Sequence, residues 1–152
     1  MQEVEYHCRD KSEWMNGPWK HEPDKKQWRD QATGLPCLIV RGPVGALCGY
    51  VGVSRDHPFY GLHYDVCEDI EVHGGLTFAD KCQEHGTEAQ SICHKVEAGE
   101  DDDVWWLGFD CAHADDVCPT RNFSEAYYGT YKDIAFVTRE VEKLAQQLAE
   151  RA

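Results

Sequence analysis

Long apolar runs, basic charge and recognisable catalytic signatures are what this chain has least of. No stretch approaches the roughly 18 to 20 apolar residues of a membrane span, and none near the start has the make-up of a signal peptide. The chain therefore reads as a soluble protein with no membrane contact. Lys and Arg number 15 against 28 Asp and Glu, a formal net charge of −13. That deficit of cations excludes a general nucleic-acid coat and a polybasic membrane tether, since both need positive surface for polyanions. There is no Gly-x-Ser-x-Gly elbow, no His-Glu-x-x-His helix and no phosphate loop, because Gly45, Gly49 and Gly52 lack the Lys and Ser or Thr that would have to follow. Ser54, Ser91 and Ser124 stand in no motif that marks a nucleophile.

What is present is ordinary globular composition. The 152 residues are 41% hydrophobic and 28% charged, the size of one domain and apolar enough to bury a core. The negative charge is concentrated: residues 56–116 carry −14, so the remainder sums to +1. The run Glu100, Asp101, Asp102, Asp103 reads as a solvated loop, with a cation-attracting rim as the alternative. Eight cysteines occur without any Cys-x-x-Cys. A disulfide framework is not required, and Cys37 and Cys48 read as small buried hydrophobes in a reduced, intracellular chain. The alternative keeps one pair, Cys82 with Cys93 or Cys111 with Cys118, bridged or metal-bound.

Residues 1–30 mix seven acidic and six basic residues with Trp14, Trp19 and Trp28. They read as an aromatic-rich arm that packs on the body or on a partner subunit, with Pro23 opening a short helix over 24–31. Residues 31–152 read as a single domain. Two apolar β-branched stretches, 35–41 and 46–53, flank Gly42-Pro43-Val44-Gly45 and predict a hairpin. A strand is expected over 70–73, ending at Gly74, and another over 104–109. Residues 79–99 have weak helical character, and 64–69 a short helical or irregular stretch. Trp105 and Trp106, adjacent on a strand, point to opposite faces. The outward ring is expected under the terminal helix or the N-terminal arm, with a stacking platform for a ring-bearing ligand such as a nucleobase as the alternative. Ile134, Val137, Val141, Leu144 and Leu148 recur at helical spacing within 132–151. The class is α+β, a small mainly antiparallel sheet with a long C-terminal helix packed on it.

Three clusters lie at predicted strand ends: His57 with His63 and Asp65, His73 before Gly74-Gly75, and Asp110, Cys111, His113, Asp115 and Asp116. Strand ends hold side chains firmly beside mobile loops, which suits a site. Imidazole nitrogens and carboxylate oxygens together suit a divalent metal such as zinc, with His73, Asp110 and His113 as ligands. Asp115 or Asp116 then serves as general base or supports a ligand, and His57 is a further catalytic candidate. A metal-free His–Asp acid–base pair is the second chemical reading, and a purely structural role the third.

At "HPFYG", "VHGGLTF" and "WWLGFDCAHADD" the sequence resembles a family of small uncharacterised proteins of bacteria and their phages. The resemblance spans residues 49–116 and the terminal helix in outline. It implies that His73, Gly74, Gly75, Asp110, Cys111 and His113 are signature positions, and that the chain works in a bacterial or phage-infected cytoplasm. No activity follows from it. Two functions are therefore expected: a metal-assisted hydrolase of a nucleotide-like or phosphorylated small molecule, or a non-enzymatic interaction protein. The second would act through its acidic surface and N-terminal arm, on a protein partner or as a homo-oligomer, without binding duplex nucleic acid.

Overall fold

The computed structural model describes residues 1–83, 86–121 and 129–152. Ser124, named above, lies outside these. Six strands form one antiparallel sheet: β1 (Val4–Tyr6), β2 (Lys25–Arg29), β3 (Pro36–Arg41), β4 (Leu47–Val53), β5 (Phe78–Lys81) and β6 (Trp105–Asp110). Their spatial order is β1-β2-β3-β4-β6-β5. A single described α-helix, α1 (Ile134–Glu150), packs on β4 and β3. The α+β expectation holds, with the sheet larger than the hairpin and flanking strands alone require.

The β3–β4 hairpin forms where the glycine turn predicts it, pairing Cys37 with Val51 and Arg41 with Leu47. The two-residue pleat then divides the sheet into faces. Cys37, Ile39, Leu47, Val51, Leu107 and Phe109 lie under α1 and meet its Val137, Val141, Leu144, Ala145 and Leu148, all buried. Leu38, Val40, Tyr50 and Trp106 form the core of the opposite face, which has no helix over it among the described residues.

That second face is closed by chain from residues 86–95. Lys25 is only 1% exposed, and its ammonium donates to the Glu88 carbonyl at 2.6 Å, the Cys93 carbonyl at 2.7 Å and Ser91 Oγ at 3.3 Å. Burial lowers its pKa to about 8. Gln27 beside it accepts from the Lys95 N–H at 2.7 Å and donates to the Lys95 carbonyl at 3.1 Å. Cys82 and Cys93 are joined by a disulfide that ties this covering chain to the end of β5. The bridged alternative is the one realised for this pair.

Several local expectations are corrected. Residues 24–31 are not a helix but contain β2, because Lys25 and Gln27 face inward and Lys26 and Trp28 the other way, a period of two. The N-terminal segment packs on the body, one of the two expected placements, but as part of the sheet: β1 and β2 are sheet strands, and Trp19 is buried edge-to-face on Tyr131 at 4.9 Å. No strand forms over 70–73. There the backbone is held by helix side chains, with the Glu71 N–H on Gln147 Oε1 and the His73 N–H on Glu140 Oε1, both 2.8 Å. The described residues of 79–99 carry the end of β5 and one short 3-10 turn at Glu88–Gln90 rather than helix, whereas the short helical or irregular stretch expected over 64–69 is present as a 3-10 turn at Tyr64–Val66. Trp105 and Trp106 do diverge, but the outward Trp105 is covered by the 60–62 loop, donating to the Leu62 carbonyl at 3.1 Å and packing on Tyr60.

The N-terminal segment is welded to the sheet by charge. Arg41, fully buried, donates from Nε to Asp24 Oδ1 at 2.8 Å, from Nη1 to the Gly45 carbonyl and Tyr131 Oη at 2.8 Å, and from Nη2 to the Pro23 carbonyl at 3.0 Å. Asp24 also accepts from Lys11 and from the Cys8 and Arg9 N–H groups, all at 2.8 Å. Burial opposes its ionisation, but these donors outweigh it and hold its carboxyl below the usual carboxylate range. Asp24→Ala leaves the buried guanidinium with only the more distant Glu22 carboxylate, 3.6 Å from Nη2, and is expected to cost about 3–5 kcal/mol of unfolding free energy, measured by urea titration. A loss within experimental scatter of zero contradicts that role for the pair.

Candidate functional site

The site forms where three pieces of irregular chain meet the first half of α1. The first is the turn after Val72, where Gly74 and Gly75 both have positive φ, +69° and +78°. The second is the chain leaving β6 through Asp110 to Asp116. The third is the approach to the helix, residues 129–133, which ends on Asp133 as N-cap, its side chain accepting from the Phe136 N–H at 2.8 Å. Asp116 and Thr130 form a short parallel bridge that pins the second piece to the third.

Asp116 is at the centre. Its carboxylate, with a side chain 1% exposed, lies 3.0 and 2.8 Å from His73 Nε2, 3.0 Å from Lys132 Nζ and 3.1 Å from the His113 backbone N–H. Burial works against the charged form, yet the donors from His73, Lys132 and His113 prevail and keep its pKa below the usual carboxylate range. An ionised acceptor at Nε2 sets the His73 tautomer: Nε2 carries the proton and Nδ1 is left as a base. The His73 ring packs edge-to-face on Phe136 at 5.3 Å, and the side chain remains 21% exposed, open to a small reactant.

A second imidazole stands beside the first. The His73 and His113 ring centroids are 5.8 Å apart, so the two candidate histidines do meet in space. His113 Nε2 is 3.3 Å from Asp110 Oδ1 but makes no hydrogen bond, and the Asp110 carboxylate also accepts from Thr77 Oγ1 at 3.0 Å and from the Ala112 N–H at 3.0 Å. The His113 ring lies directly over Gly74, where any Cβ would overlap the imidazole. The glycine is thus required twice, by its φ and by this contact.

The remaining candidates fall elsewhere. His57 is buried and has both ring nitrogens engaged by backbone, Nε2 with the Leu148 carbonyl at 2.7 Å and Nδ1 accepting from the Phe59 N–H at 2.9 Å. Leu148 lies twelve positions along α1 from Phe136, about 18 Å away, so His57 joins a loop to the far end of the helix. His63 and Asp65 are exposed and cap a short turn. Asp115 is exposed and contributes its carbonyl, which accepts from the Thr130 N–H at 2.9 Å. Cys111 is buried, and burial pushes its thiol far up, away from the thiolate a nucleophile needs. Among the described residues no group of three or more His, Cys, Asp or Glu is arranged to hold a metal ion. His73 spends Nε2 on Asp116, and His113 and Asp110 make a separate pair.

Lys132, Thr77 and Glu140 belong to the site and were not anticipated from sequence. Only the proximity of Lys132 to the start of the predicted helix could have hinted at it, through the chain that returns past Asp116.

Two substitutions separate the roles of the double glycine. Gly75→Ala, with open space at its Cβ, is expected to cost only the left-handed backbone penalty of about 1–2 kcal/mol. Gly74→Ala is expected to cost more and to shift the His113 ring resonances. Equal costs and an unmoved His113 spectrum overturn the contact. Asp116 gives an acid signature. Because its folded pKa is lowered, the stability it contributes is full above the unfolded value of about 3.9 and is lost as pH falls through the folded value. Asp116→Asn is expected to flatten that limb of the unfolding midpoint against pH.

Comparison with protein families, with curated proteins and with solved structures finds no match to this chain.

Proposed function

We propose that the protein is a small acid–base enzyme, a hydrolase of a small molecule, with His73 as the proton-transfer group and Asp116 as the residue that orients it. The observation that supports this reading is a buried, ionised carboxylate on one nitrogen of a part-exposed imidazole, with a second imidazole 5.8 Å away. A water at His73 Nδ1 would give up its proton to that nitrogen as it attacks, and His73 returns the proton to the leaving group. Lys132 shares the Asp116 carboxylate and so tempers the charge that builds on the imidazole. His113, whose Nε2 has no hydrogen-bond partner among the described residues, would serve as a second donor toward a substrate oxygen.

The net charge of −13 favours neutral or cationic substrates. A nucleotide-like or phosphorylated substrate needs a divalent cation such as zinc to offset the repulsion. His73, Asp110 and His113 would have to rearrange to supply it, since His73 Nε2 is committed to Asp116. The interaction-protein reading rests on the acidic surface and on the N-terminal segment, which is here part of the sheet. A bacterial or phage origin, and with it the cytoplasm, rests on the motif resemblance. No described helix is long and apolar enough to cross a membrane. The Cys82–Cys93 disulfide pulls toward an oxidising compartment.

The test is a panel of neutral esters, amides and phosphomonoesters, with and without added zinc, on wild type, His73→Gln and Asp116→Asn. Turnover is expected to fall by about 10²–10⁴-fold in His73→Gln. Dependence of that turnover on zinc, with metal retained by wild type and lost in His113→Ala, would move the mechanism to the metal-assisted form. Full activity in His73→Gln overturns the assignment.

A further inference from the structure

A second cavity, on the sheet face away from α1, has the features of a ligand site unconnected with His73. It measures about 260 Å³ and lies between the ends of β2, β3 and β4 and the chain entering β6. Its apolar wall on this face is Pro36 and Val104 beside Gly52, and its rim carries Glu100 and Asp101 from the acidic run. His94 closes one side and also lines a neighbouring cavity of about 290 Å³ formed by residues 86–93.

His94 is the unexplained group. It is 9% exposed, and its Nδ1 is buried without a hydrogen-bond partner. Its ring is packed edge-to-face on Trp106 at 5.2 Å, and the Trp106 indole N–H is likewise buried and unpartnered. Buried polar groups in folded proteins are almost always satisfied, so an unpartnered His94 at a cavity wall, packed on an unpartnered Trp106 behind it, calls for a partner. The His94 ring lines the cavity, and among the described residues no hydrogen bond at Nδ1 fixes its orientation. Burial lowers the His94 pKa, so the ring meets a ligand as a neutral imidazole able to accept an N–H.

The rim decides the ligand's charge. Arg29 is spoken for, donating to Glu100 Oε2 at 2.5 Å and to the Gly34 carbonyl at 2.6 Å. Glu100 is doubly paired, holding the Met1 ammonium at 3.0 Å as well. Asp101 has no cation on it: one oxygen accepts from the Asp103 N–H at 2.9 Å and the carboxylate is exposed. Asp103 is itself paired with Arg55. The open charge facing the cavity is therefore negative, over an apolar wall.

We propose that this cavity binds a small flat cation, an aryl amine or amidine. Its ring lies on Pro36 and Val104 over Gly52, and its N–H groups reach His94 and Asp101. The volume suits one aromatic ring with a short cationic head, and the chemistry rejects the corresponding anion.

The probe is benzamidine, with benzoate as the anion of the same shape, titrated into isotope-labelled full-length protein. Saturable shifts are expected at the His94 ring and the Trp106 indole N–H with benzamidine, and none with benzoate. Asp101→Asn, a change at an exposed side chain that leaves the core intact, is expected to weaken binding about tenfold. His94→Phe, which keeps the stacking on Trp106, is expected to weaken it by at least as much. Should His94→Phe fail to fold, Asp101→Asn carries the test alone. Absence of shifts at both reporters, equal response to benzoate, or unchanged affinity in Asp101→Asn overturns the proposal.

Discussion

The guanidinium of Arg41 is the fixed point of this molecule. A buried cation is tolerable only if each of its donors is met, and here they are met by parts of the chain far apart in sequence: Pro23 and Asp24 before β2, the Gly45 turn of the hairpin, and Tyr131 ahead of α1. Glu22 extends the arrangement, accepting from Tyr131 Oη at 2.6 Å and from the Ile134 N–H at 2.8 Å, the latter a free donor of the helix start. One charge therefore sets where the N-terminal strands join, how the hairpin ends and where the helix begins.

The candidate site inherits that arrangement. Tyr131 is held by Arg41, and the next residue, Lys132, reaches Asp116, which in turn holds His73. Three consecutive links lead from the buried hub to the imidazole, and none passes through apolar packing alone. The helix contributes from its other side, through Glu140 on the His73 N–H and Phe136 against the ring. Backbone and ring of His73 are thus positioned by one element, while its tautomer is set by another.

The parts legible in the sequence are those where apolar periodicity and burial agree. Leu38 to Val40, Leu47 to Val53, Trp106 to Phe109 and the Val137–Leu148 stripe read correctly because each buried position is apolar. β2 does not, since its inward residues are Lys25 and Gln27, whose polar heads are satisfied by carbonyls some 60 residues away. The stretch 70–73 errs the opposite way: Ile70 and Val72 alternate as a strand would, yet their neighbours bond to α1 side chains. In the site, His73, Asp110, His113 and Asp116 were visible as residue types beside turns. Their pairing was not, because Asp110 and Asp116 are equally near His113 in sequence, and only the fold turns one toward each ring.

The loop bearing His73 belongs to no ladder. Its tethers are side chains of the helix, the carboxylate behind the ring, the Thr77 bonds to Gly108 and Asp110 and the burial of Val72, none of them a strand pairing. Such a segment opens with a smaller free energy than the body that carries it. The fold has in effect two levels of persistence, a durable sheet and helix, and a looser edge on which the imidazole rides.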